Sequence, residues 1–190
     1  MKIIVLGGHG FVGKYVVRIL TLLKHDVFPL SRIDGLNLLD LECTKKYISE
    51  IKPNVIINCA AHVGSLHYVS QYSGYIVDDN IEMILNTYRS TKEICPEAKI
   101  INPLSNCSYP GDANIQYEPD WWNGEVHDSV FSYGNAKRFI YVISKNYHKQ
   151  FGVKTANFLI PNTYGPGDYP DPNKTHALNG MIIRMLKAKA

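Results

Sequence analysis

The sequence predicts an α/β fold, a doubly wound parallel sheet with helices on both faces. Three observations carry that expectation. Short runs rich in Val and Ile alternate, almost from the first residue, with longer segments whose apolar residues recur at helical spacing. The short runs lack the polar alternation of a one-sided sheet, so both faces of the sheet are expected to be covered. The chain has 190 residues, 45% of them apolar, which suits one α/β domain with a sizeable core.

The elements follow in order. Lys2–Leu6 is a β-rich run, "GGHGFVG" turns the chain, and Phe11–Lys24 has helical spacing. Asp26–Leu30 reads as a second strand followed by a polar loop, Thr44–Ile51 as a short helix, and Asn54–Asn58 as a third strand. A long helix is expected over about 74–94, a fourth strand over Ala98–Asn102, another long helix over about 132–151, and a fifth strand over Lys154–Leu159. "PLSNCSYPGD" (103–112) is expected to be a loop at the end of the fourth strand. Residues 161–179, rich in Gly, Pro, Asp and Asn, read as a loop before a last helix.

Gly7-x-x-Gly10-x-x-Gly13 falls between the first strand and the first helix, the setting a phosphate-binding loop needs. Gly7 permits a tight turn, Gly10 lets the backbone approach a pyrophosphate, and Gly13 lets helix and strand pack closely. The sheet is therefore expected to be Rossmann-type and to bind a dinucleotide. After the second strand, Ser31 and Arg32 suit the 2′-phosphate of NADP(H), preferred here over NAD(H); Asp34 nearby is the alternative acid for a free ribose hydroxyl. Asp40 is read either as an adenine contact or as an ordinary loop carboxylate.

The formal charge of +3, from 20 basic and 17 acidic residues spread along the chain, gives no footprint for nucleic acid or a membrane surface. No apolar run reaches the roughly 18 residues of a membrane span, so a cytoplasmic protein is expected. The four cysteines stand far apart, so free thiols are expected and no metal site. Cys43, Cys59 and Cys95 read as small buried apolar residues.

Tyr-x-x-x-Lys on a helix sets phenol and ammonium one turn apart on one face, where the ammonium lowers the phenol's pKa for carbonyl chemistry. The chain contains three such pairs: Tyr88/Lys92, Tyr133/Lys137 and Tyr141/Lys145. Tyr133 begins the helix that follows the serine loop, on the carboxyl side of the strands where α/β folds bind ligands, and is preferred for that reason.

Together "GGHGFVG", "NLLD", "NCAAHVG", Ser105, "YGNAK" and "NTYGPGD" resemble the extended short-chain dehydrogenase/reductases that act on nucleotide sugars. Within them the chain is most similar to the GDP-L-fucose synthase family, from Lys2 to about Lys187, chiefly through "LSNCSYP" and "YGPGDYPDPNKTHALNGMIIRMLKA". The resemblance implies a catalytic Ser105, Tyr133 and Lys137 for reduction at C4, with Cys107 and His176 for epimerisation at C3 and C5. It implies cofactor contacts from Gly7, Gly10, Phe11, Val12 and Gly13, then from Arg32, Asp40, Leu41, Ala60 and Ala61, besides Tyr133 and Lys137. It implies substrate contacts from Val63, Gly64, Asn106, Asn162 and His176, a GDP-linked sugar as substrate, and a homodimer formed through the two long helices. Ser65 stands where the family has a second glycine, and His9 replaces a basic residue beside the 2′-phosphate. Asn80 and Tyr164 read either as site-lining or as packing residues.

Asn106-Cys107, in place of an Asp-Glu pair, argues against a dehydratase. A 4-reductase or 4-epimerase of another nucleotide sugar, such as a GDP-heptose, with Cys107 idle, and a non-catalytic nucleotide-sensing module are the competing expectations. Residues 1–160 are expected to form the NADP-binding domain. Residues 161–190 are expected to begin a substrate-binding region that the chain largely lacks.

Overall fold

The computed structural model describes residues 1–169, 171 and 175–189. Its frame is a parallel five-stranded sheet: β1 (Lys2–Leu6), β2 (Asp26–Leu30), β3 (Val55–Asn58), β4 (Lys99–Ser105) and β5 (Lys154–Ile160), in the order β2-β1-β3-β4-β5. All four strand pairs are parallel. The helices are α1 (Phe11–Leu22), α2 (Leu41–Ile51), α3 (Leu66–Gln71), α4 (Ser73–Ile94), α5 (Phe131–Phe151) and α6 (Ala177–Lys189). Among the described residues no helix is long and apolar enough to cross a membrane.

The core explains the apolar strands. Ile4, Leu6 and Ile56 pack with Leu30, Leu36 and Ile48, while Ile100 and Leu104 pack with Ile84 and Tyr88 of α4 and Ile140 and Ile143 of α5. The alternate positions Ile3 and Val5 are equally buried, so the middle of the sheet is apolar on both faces. Chain order reverses between β1 and β3, and the crevice outside the carboxyl ends of these two strands is where such sheets bind ligands.

Most bounds shift by one or two residues, and three larger departures from expectation have a physical cause. α2 begins three residues early because Asp40 caps it, its Oδ1 accepting from the N–H groups of Glu42 (2.9 Å) and Cys43 (3.0 Å). The short helix α3 was not expected; its first turn is capped by Ser65, whose hydroxyl oxygen accepts from Tyr68 N–H at 3.3 Å. β4 runs through Pro103 to Ser105, so the first part of "PLSNCSYPGD" is strand and not loop. Pairing with β3 ends at Ile57↔Ile101, whereas pairing with β5 continues through Pro103↔Phe158 to Ser105↔Ile160. Past Ile101 β4 is thus an edge, where a proline without an N–H is tolerated.

Candidate active site

The glycine turn lies at the switch point. Gly7 has φ +72°, and a Cβ there would stand 2.8 Å from the backbone nitrogen of Ala60, just after β3. A Cβ on Gly13 would stand 2.1 Å from the Gly7 carbonyl oxygen, so only glycine lets α1 begin this close to the turn. Gly10 caps α1 without a side chain, leaving Phe11 and Val12 to present the first N–H groups of the helix. A bare cradle at a helix N-terminus, at the sheet's switch point, fits a dinucleotide pyrophosphate.

At the end of β2 the Asp34 carboxylate is already engaged. It accepts from the Ser31 N–H at 2.8 Å and lies 3.0 Å from Nε2 of His9. Burial alone would raise its pKa, but the Ser31 N–H and the His9 ring outweigh that and hold it below the ordinary carboxylate value. Arg32 beside it is exposed, and its guanidinium makes no hydrogen bond or ion pair among the described residues. Asp40 spends one oxygen on the α2 cap; Leu41 beside it, and Ala60 and Ala61 just after β3, are partly buried.

The second cluster gathers where β4 ends. The Cys107 N–H donates to Ser105 Oγ (3.3 Å), the Ser105 hydroxyl reaches Asn106 Oδ1 (3.4 Å), and the Ser108 hydroxyl donates to the Ser105 carbonyl. α5 begins directly against this turn, because Gly134 has no side chain: a Cβ there would stand 2.4 Å from the Cys107 carbonyl oxygen. That close approach brings Tyr133 within electrostatic reach of Cys107, two residues from Ser105, and Lys137 against Pro103 and Cys59. Arg138 fastens the arrangement, donating to the carbonyls of Ser108 (2.8 Å), Gly124 (2.8 Å) and Trp121 (2.9 Å).

Lys137 is buried, with Nζ 3.5 Å from the Pro103 carbonyl and 5.4 Å from the centre of the Tyr133 ring. Burial lowers its pKa to about 8, and the neighbouring Cys59 thiol, itself pushed up to about 11 by burial, offsets part of that fall. The expected lowering of the Tyr133 phenol by its lysine is not what this geometry gives. The ammonium lies beneath the ring, and burial, followed by the proximity of Cys107, pushes the phenol up. Tyr133 is thereby held neutral, which is the form that donates a proton. The other two Tyr-x-x-x-Lys pairs lie elsewhere: Tyr88 is fully buried under β4, and Tyr141 is 38% exposed on the outer side of α5.

Among the described residues no hydrogen bond or ion pair joins His176 to Cys107. Its Nδ1 lies 3.5 Å from Oδ2 of the buried Asp168, and this is its ion pair among the described residues. The loop before it is drawn toward α1 instead, through Lys14 Nζ to the Gly167 carbonyl (2.9 Å) and the Tyr15 hydroxyl to the Pro166 carbonyl (2.7 Å). Asn162 and Tyr164 are exposed on that loop. Val63 and Gly64 follow β3 at the carboxyl edge, and Asn80 holds this segment, accepting from His62 N–H (3.1 Å) and donating to His62 O (2.8 Å). Cys59 beside Lys137, Arg138 and Asp168 are the residues that sequence reading missed. Only the pairing of β3 with β4, on which α5 packs, places Cys59 there, and no spacing along the chain signals it.

A model of the NAD dependent epimerase/dehydratase family matches residues 3–190. GDP-L-fucose synthase of Dictyostelium discoideum is 31% identical over 183 residues, which cover 95% of this chain and 57% of that protein. GDP-L-colitose synthase of Yersinia pseudotuberculosis is 29% identical, over 99% of this chain and 61% of that protein. A crystal structure of a GDP-L-fucose synthetase from Naegleria fowleri bound to NADP superposes with a TM-score of 0.86 at 27% identity, over 98% of this chain and 62% of that one. The chain thus spans about three-fifths of the length of the relatives it matches.

Proposed function

This chain belongs to the NAD dependent epimerase/dehydratase family, and from that membership we propose that it carries the cofactor and catalytic half of an NADP-dependent epimerase/reductase of a GDP-linked 4-keto sugar. The observation that carries the proposal is the contact between the glycine-built start of α5 and the end of β4. It sets Ser105, Cys107, Tyr133 and Lys137 together at the carboxyl edge of a sheet whose switch point holds a bare glycine cradle. The relatives that make GDP-L-fucose and GDP-L-colitose by name support the GDP-sugar. The exposed Arg32, beside an Asp34 already bound by Ser31 and His9, supports NADP over NAD. Residues 1–160 are proposed as the nucleotide-binding domain and 161–190 as the beginning of the substrate region. A homodimer is proposed through the outer sides of α4 and α5, where Tyr75, Tyr141 and Val142 are exposed.

Bound NADPH would supply the hydride for C4. The chain's own groups manage protons and orientation. Ser105 and Tyr133 donate hydrogen bonds to the C4 oxygen, and Tyr133, kept neutral by burial, gives that oxygen its proton. Lys137 lies beneath the phenol ring and fixes its face, within 5.4 Å of the ring centre. Cys107 lies within electrostatic reach of Tyr133, at the position for removing or returning a proton on carbon next to the ketone.

One observation favours a second reading, reduction at C4 without epimerisation: the ion pair of His176 among the described residues is with Asp168, at 3.5 Å. The two readings separate in deuterated water without NADPH. Incubation with GDP-4-keto-6-deoxymannose is expected to place deuterium at C3 and C5, and Cys107→Ala is expected to abolish this while leaving NADPH affinity unchanged. A sugar recovered without deuterium removes the epimerase reading and leaves the reductase.

A further inference from the structure

His62 joins three segments by its ring. Nδ1 lies 2.7 Å from Asp79 Oδ2 of α4, and Nε2 lies 2.9 Å from the Tyr68 hydroxyl of α3. An ionised carboxylate only accepts, so Nδ1 carries the hydrogen, and in the neutral ring the free lone pair of Nε2 accepts the Tyr68 O–H. The chain carboxylate–imidazole–hydroxyl therefore has one direction, with the phenol at its outer end. Its position is also fixed. The Tyr68 ring packs on Gly64, where a Cβ would stand 2.7 Å from it, in the loop leaving β3 at the carboxyl edge. α3 packs against the turn 128–130, which leads directly to Tyr133. Asn80 already holds the backbone of His62, so the ring pairing is not needed to pin this loop. The side chains of His62 and Asp79 are 25% and 31% exposed, so this is not a sealed core network.

We propose that Asp79–His62–Tyr68 is a proton relay whose outer end meets the sugar, making Tyr68 a further catalytic residue and His62 and Asp79 its positioning residues. The proposal rests on the 4-keto-sugar reading above. In the step it performs, the phenol oxygen takes a proton from the carbon next to the ketone as its own proton passes to Nε2. The C–H electron pair becomes the enolate, His62 becomes an imidazolium beside the Asp79 carboxylate, and Tyr68 stays neutral throughout. The reverse transfer returns the proton, and nothing is oxidised or reduced. The base is thus generated without forming a phenolate, by the logic that a carboxylate-oriented imidazole applies to a hydroxyl.

The test uses the whole chain saturated with NADPH, ¹⁵N-labelled at histidine, with GDP-mannose as a stable probe of the sugar site. The His62 signals are expected to report the Nδ1–H tautomer. The Nε2 resonance is expected to shift on adding GDP-mannose, and that shift is expected to vanish in Tyr68→Phe. With the 4-keto sugar, Tyr68→Phe is expected to slow deuterium exchange at carbon at least tenfold with NADPH affinity within twofold of wild type. An Nε2 resonance unmoved by GDP-mannose overturns the relay, whatever the exchange result. Wild-type exchange rates in Tyr68→Phe also overturn it and leave the epimerase reading standing. Absence of exchange in the wild type removes the epimerase reading, and the tautomer and the Nε2 shift then decide the relay by themselves.

Discussion

Arg138→Leu is expected to destabilise the protein by about 3–5 kcal/mol, one of the largest effects of any single substitution outside the apolar core. The guanidinium is 8% exposed and donates to three carbonyls, those of Ser108, Trp121 and Gly124, at 2.8–2.9 Å. Each buried acceptor left unpaired costs about 1–3 kcal/mol, and leucine can satisfy none of them. Those carbonyls belong to two segments with little regular structure, the turn after β4 and the tryptophan loop, so they have no ladder to fall back on. For a chain of this length, roughly 10–15 °C of melting temperature should be lost. Arg138→Lys can restore only part, because an ammonium lacks the planar fork that spans three acceptors. Urea denaturation measures the loss directly, and a change below about 1 kcal/mol would show that the two segments hold without the arginine.

Lys137→Met is expected to act in the opposite direction on stability while removing C4 reduction. The ammonium is buried with one long hydrogen bond among the described residues, 3.5 Å to the Pro103 carbonyl, and burial lowers its pKa to about 8 from the ordinary 10.5. Below about pH 8 the lysine is charged in both folded and unfolded chains, and the full cost of burying the charge is present. Between about 8 and 10.5 the unfolded chain holds a proton that the folded chain has released, so this group's contribution to stability rises with pH. Above 10.5 both are neutral and the cost is gone. At 1.36 kcal/mol per unit, the cost near neutral pH is on the order of 3 kcal/mol. The methionine variant should therefore melt roughly 5–10 °C higher at pH 7, and the difference should shrink as pH rises from 8 toward 10.5. Cys59, pushed up to about 11 by burial, keeps its thiol proton in the folded chain across most of that range, and loss of Lys137 can only raise it further, so the difference between the two proteins below pH 10.5 reports Lys137. A variant no more stable than wild type at pH 7 would mean that the buried ammonium has a partner stronger than the Pro103 carbonyl.

The sequence made the sheet legible because its signals are local. Both β1 and β2 carry their patterns within five residues, and their predicted bounds agree with the structure. Elements set by something else were misread. Asp40 moved the start of α2 through a cap hydrogen bond that the apolar periodicity does not contain. Pro103 looked like a strand end, but it lies beyond the last β3 partner, where its missing N–H has nothing to pair with. The six-residue α3 is too short for periodicity to register.

The site divides along the same line. The glycine spacing and the place of Tyr133 after the serine loop could be read from the chain. The orientation of Lys137 beneath the ring could not, since it depends on how α5 seats on Cys107 through Gly134. Nor could the partner of His176, because Asp168 and Thr175 are folded together by the loop that α1 holds.

Hydride transfer is the most direct test of an NADP-dependent reductase built on Ser105, Tyr133 and Lys137. The chain is mixed with NADPH carrying deuterium at the transferable C4 position and with GDP-4-keto-6-deoxymannose, and the sugar is read by NMR. The expected result is deuterium at the sugar's C4 with matching loss of NADPH absorbance, reduced by about 10²–10⁴-fold in Tyr133→Phe at unchanged NADPH affinity. Tight NADPH binding with no deuterium reaching C4, or transfer as fast in Tyr133→Phe as in the wild type, would contradict it.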